Sequence, residues 1–102
     1  MRIELLYVDG CPHRGVADAR IRAALEAVGI GELEIEHVLV SGQDEAEALG
    51  FLGSPSVHID GADPFAEPGA SVALACRLYR TTTGPDEAPS VDQLTRALRD
   101  RG

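Results

Sequence analysis

The 102-residue chain contains no lysine, so its nine basic residues are all arginine, and lysine Schiff-base chemistry is excluded. Phosphate-rich partners are disfavoured as well. With 17 acidic residues the formal net charge is −8, which repels nucleic-acid backbones and anionic membranes. No apolar run approaches the roughly 18 residues of a membrane span. Glu4 interrupts the first short apolar stretch, so no signal-peptide core is expected and the reading is cytoplasmic. Only two cysteines occur, Cys11 and Cys76, too few and too far apart for a structural disulfide framework. No Cys-x-x-Cys or His-x-x-x-His pair is present, so no metal site is predicted, and nothing calls for a cofactor.

What is present is an ordinary globular composition, 44% hydrophobic and 25% charged, in a length that suits one domain over residues 1–102. Residues 3–8 read as a nearly all-apolar strand, covered on both faces. Asp9-Gly10 breaks it, and a helix follows from Pro12, with Ala17, Ile21, Ala24, Leu25 and Val28 on one face. Gly29 is placed to end that helix in a left-handed cap. A second strand is expected over 32–40. A short helix should open on a box at Ser41, and a third strand should cover 56–60. Residues 62–74 read as a long loop, 75–80 as a fourth strand and 81–89 as a loop. A last helix is capped by Ser90 and Gln93. The predicted order is βαβ-αββα.

Chemistry concentrates at Cys11. A thiolate is the reactive form of cysteine, and the start of a helix offers unpaired N–H groups that favour an anion. His13 and Arg14 stand close in sequence. Each reads either as a thiolate partner or as an ordinary exposed residue. Cys11 itself is either a reactive, partly exposed thiol or a small buried hydrophobe. Cys76 divides in the same way, between a core cysteine and a resolving thiol. A simple hairpin would put it at the opposite end of the sheet from Cys11. Asp9 is a turn former and also the nearest candidate proton donor. His37 and His58 lie in predicted strands without spaced metal partners.

The element order, Cys11-Pro12-His13 at the first strand-to-helix junction, and Gly53-Ser54-Pro55-Ser56-Val57 before the third strand together resemble the thioredoxin-like superfamily. The resemblance covers nearly the whole chain. It implies an α/β fold with a central four-stranded mixed sheet flanked by helices. It also implies a cis Ser54–Pro55 bond beside the reactive thiol. The stretches FLGSP (51–55) and CRLYR (76–80) are similar to short bacterial thioredoxin-fold proteins often labelled alkylmercury lyase. The likeness stops at Arg14, which occupies the place of the superfamily's second thiol, so the usual disulfide within the motif cannot form.

Three functions follow. The first is thiol–disulfide exchange through Cys11, with Cys76 as a candidate second catalytic thiol. Pro12, His13, Arg14, Ser54 and Pro55 would shape the site, and the partners would be protein or low-molecular-weight thiols and disulfides. The second is mercury or organomercurial chemistry through Cys11 and Cys76, because soft thiolates suit mercury. The third is a non-catalytic interaction module that keeps the fold without the chemistry. The sequence does not fix an oligomeric state.

Overall fold

A computed structural model describes residues 1–101. The elements are β1 (Ile3–Tyr7), α1 (Arg14–Ala27), β2 (Ile35–Leu39), α2 (Gln43–Leu49), β3 (Ser56–Ile59), β4 (Tyr79–Thr81), β5 (Gly84–Asp86) and α3 (Val91–Arg101). The main sheet has three strands in the order β2-β1-β3. β1 runs parallel to β2, with Ile3 opposite Ile35, and antiparallel to β3, with Leu6 opposite Ser56.

The expected fourth strand is the principal correction. Residues 75–78 form no strand of the main sheet; their backbone makes one isolated parallel bridge, Cys76 with Ser54 just ahead of β3. Further on, β4 pairs with β5 in a separate antiparallel ribbon, Tyr79 opposite Asp86. Ser54, ahead of β3, holds residues 75–77 in the parallel sense through its N–H and its carbonyl, so this stretch does not run back along β3 as a hairpin strand. Thr81 Oγ1 accepts the Thr83 N–H at 3.3 Å and donates to the Gly84 carbonyl at 2.6 Å, and Gly84 takes a φ of 109°. This turn closes the β4–β5 ribbon, and part of the loop expected over 81–89 becomes β5.

Strand β1 is covered on both faces, as its apolar run predicts. On one side Ile3 and Leu5 join Val57 and Ile59 under α1 and α3, which contribute Ala17, Ile21, Ala24, Leu25, Leu94, Ala97 and Leu98. On the other, Leu6 packs with Val40, Ala46 of α2 and Phe51. Burying each such large side chain contributes about 1.5–3 kcal/mol against chain entropy.

The helix ends follow local chemistry. α1 stops in a Schellman arrangement, with Ile30 N–H bonded to Leu25 O at 2.9 Å, Gly29 N–H to Glu26 O at 3.1 Å, and Gly29 at φ 84°. α3 opens on a reciprocal box. Gln93 N–H reaches Ser90 Oγ at 3.1 Å, and Ser90 N–H reaches Gln93 Oε1 at 2.9 Å. α2 departs from expectation, because its N-cap is Gly42, and the Ser41 hydroxyl donates to Glu45 instead. No helix among the described residues is long and apolar enough to cross a membrane.

Candidate functional site

Beyond β1 the chain turns through Val8, Asp9, Gly10 and Cys11. The turn is closed by a 3.2 Å bond from Cys11 N–H to Val8 O, with Gly10 at φ 75°. An L-residue is disfavoured at that φ, which explains the Asp-Gly break in the sequence. Cys11 is free and partly exposed, so the buried-hydrophobe reading does not apply. The helix starts later than its Pro12 suggested. His13 is the N-cap, its side chain makes no capping bond, and the first intrahelical bond is Ala17 N–H to His13 O at 3.1 Å. Cys11 therefore stands two residues ahead of the cap, and Pro12 lies exposed in the intervening turn.

A cavity of about 200 Å³ is lined by Tyr7, Asp9, Gly10, Cys11, Arg14 and Leu39. Arg14 sits at a helix N-terminus, where the helix dipole opposes a cation. Stacking offsets this, because the Arg14 guanidinium lies 4.1 Å from the centre of the Tyr7 ring. The face of Tyr7 thus holds the cation beside the thiol. His13 does not line this cavity.

Ser54 and Pro55 are buried, and the peptide bond between them is cis, as the resemblance implied. The Ser54 hydroxyl accepts the Val8 N–H at 3.1 Å, so the proline segment is tied to the residue that opens the Cys11 turn. Ser54 also holds the segment around Cys76. Its N–H donates to Ala75 O at 2.8 Å, and its carbonyl accepts the Arg77 N–H at 3.0 Å. Gly53 permits this approach: it has φ 122°, and a Cβ there would meet Arg77 Cβ at 2.9 Å and Ala75 O at 3.2 Å.

Cys76 is consequently neither in a strand nor in the core. It is exposed and free. The hairpin argument that put it at the far end of the sheet is also overturned, because the long loop returns the chain to the Ser54 end. Leu74, two residues earlier, lines a second cavity of about 640 Å³ with Val8, Asp9, Leu39, Val40 and Ser41. The two cavities share Asp9 and Leu39.

Under this segment lies a polar cluster that the sequence did not signal. Arg77 Nη1 bonds Asp63 Oδ2 at 2.6 Å and Ser56 Oγ at 3.1 Å, and Arg77 Nη2 donates to Phe65 O at 3.0 Å. The side chains of Arg77 and Asp63 are 9% and 6% exposed. The guanidinium also lies 4.4 Å from the centre of the Tyr79 ring. The Tyr79 hydroxyl donates to Pro55 O, and burial raises its pKa well above the usual phenol range. His58, opposite Glu4 in the sheet, is buried with no partner for Nε2. Burial pushes its pKa below the ordinary imidazole value, against the opposing pull of Asp63 and Glu4. His37 lies on the α1 side, with Nε2 2.9 Å from Asp18 Oδ1. Among the described residues no cluster of three or more His, Cys, Asp or Glu could hold a metal.

No family model, no curated protein and no solved structure matches this chain, so its own residues carry the functional reading.

Proposed function

We propose that the chain is a thiol–disulfide exchange protein of thioredoxin-like architecture that works through Cys11. The observation that carries this is the partly exposed sulfur-bearing residue in a small cavity, beside a stacked Arg14, on a turn tied to the cis Ser54–Pro55 segment. The parallel β1-α1-β2 unit, the antiparallel β3 and the capped final helix support the architectural part.

In the reaction, the Cys11 thiolate attacks one sulfur of an oxidised low-molecular-weight thiol. The S–S bond of that compound breaks, and the departing half leaves as a thiolate that takes up a proton. The other half remains joined to Cys11 as a mixed disulfide. A second thiol then attacks this bond and restores Cys11. Arg14 would hold a carboxylate of the incoming compound, since guanidinium matches carboxylate geometry. Asp9 is the acidic residue in the lining of that cavity. Pro12 and His13 shape the approach without lining the cavity.

Incubation with oxidised glutathione followed by intact mass measurement tests this. One glutathionyl group on Cys11 in Cys76→Ser, where no second protein thiol can remove it, is the expected result, and it should be absent once Cys11 is also replaced by serine. A Cys11 that takes up no glutathione in Cys76→Ser refutes the proposal.

Mercury binding is a second reading, favoured by the placement of both cysteines at one end of the sheet. It requires both sulfurs on one Hg(II), so loss of either cysteine should abolish tight binding. The interaction-module reading has only Arg14 in its favour.

A further inference from the structure

We infer that Cys76 is the resolving thiol of this site, a role that rests on the proposed Cys11 chemistry and assigns its second step. Two independent relationships bring the cysteine-bearing segments together. In the first, Ser54 bridges them: its backbone pairs with the segment at Cys76, and its hydroxyl binds Val8, which accepts the Cys11 N–H. In the second, Leu74 and Asp9, each two residues before a cysteine, line one cavity.

The orientation of Cys76 fits the role. Arg77 turns its side chain inward to Asp63, while the neighbouring Cys76 is left exposed. Its backbone neighbours on both sides are bonded to Ser54, so the exposed thiol has a defined place. A disulfide needs the two Cα atoms within about 7 Å of one another, which is the approach the linked peptide would report. Arg14, in the place of a nearer second thiol, leaves that task to the more distant one.

The chemistry balances without another reagent. After the mixed disulfide forms, the Cys76 thiolate attacks Cys11 Sγ. The bond to the bound thiol breaks, that thiol leaves and takes a proton, and a Cys11–Cys76 bond forms. In sum, one oxidised low-molecular-weight disulfide is reduced to two thiols, and two protein thiols are oxidised to one disulfide.

The test exposes the whole chain, Cys76→Ser and Cys11→Ser to oxidised glutathione, with intact mass and non-reducing peptide mapping over time. In the unaltered chain the glutathionyl adduct should be lost, giving a species lighter than the reduced protein by two hydrogens, with Cys11 and Cys76 peptides linked. In Cys76→Ser the adduct should persist. If the unaltered chain keeps its adduct as long as Cys76→Ser does, or no linked peptide appears, the inference is overturned while exchange at Cys11 stands. If Cys76→Ser takes up no adduct at Cys11, both fall.

Discussion

Ser54 pairs with Cys76 across a parallel bridge, and the same residue receives the amide of Val8 through its hydroxyl. Ser54→Ala keeps the backbone pairing and removes the hydroxyl tie. The Val8 N–H loses its partner, which costs about 1–3 kcal/mol where the group stays dry. A lower urea midpoint and slower modification of Cys11 by oxidised glutathione are expected together.

Arg14 supplies the positive charge in the lining of the Cys11 cavity, which also includes the acidic Asp9. Arg14→Ala should slow the reaction of Cys11 with oxidised glutathione by roughly tenfold or more, since a charge-assisted hydrogen bond contributes about 1.5–3 kcal/mol. An uncharged small disulfide should lose far less. Stopped-flow rates for both compounds give the ratio, and an equal loss for each would remove Arg14 from substrate binding.

The Asp63–Arg77 pair is buried on both sides. Asp63→Asn leaves an uncompensated guanidinium beneath the Cys76 segment, and breaking such a pair costs about 3–5 kcal/mol. Urea unfolding at neutral pH should show the loss. Replacing both partners with apolar side chains should restore much of it.

His58 gives stability a pH dependence. Its folded-state pKa is depressed by burial, so the unfolded chain binds the proton first as pH falls. The His58 contribution is full above the unfolded imidazole value of about 6.5. It is lost progressively as pH drops from there through the lower folded value. Denaturation midpoints between neutral and mildly acid pH should fall in the natural chain, and fall less in His58→Gln.

Ser90→Ala removes one half of the reciprocal box that opens α3. The expected cost is about 0.5–2 kcal/mol, read as a lower thermal midpoint. Cys11 reactivity should stay unchanged, since this cap lies in no part of its cavity.

Local rules made much of this readable. Gly29, Ser90 with Gln93, the Asp9-Gly10 break and the apolar run of β1 each act within a few residues, and each appears in the fold. The path of residues 75–81 was not legible, because it is set by backbone bonds to Ser54, more than 20 residues earlier, across a loop without periodicity. Helix α1 begins at Arg14 rather than Pro12, a choice made by the tight turn before it. Arg77 falls in the stretch expected as a fourth strand, and nothing local points to its partner Asp63, 14 residues away in a loop without periodicity. Tyr7 beneath Arg14 was equally hidden, since stacking leaves no spacing rule to read. Cys11 and Arg14 line one cavity and Ser54 is tied to Val8 at the start of the Cys11 turn, whereas Pro12 and His13 do not line that cavity.

Because the fourth strand never joins, β3 is left as a border of its sheet, yet its residues are all buried. The irregular chain after β3 bridges back to Ile59 at one end of that border and to Ser54, two residues ahead of it, at the other, so the backbone groups there are paired within the molecule. Shortening this cover would uncover a sticky margin, and self-association on a sizing column would follow. The excursion that carries Cys76 is thus also the guard of an otherwise open strand.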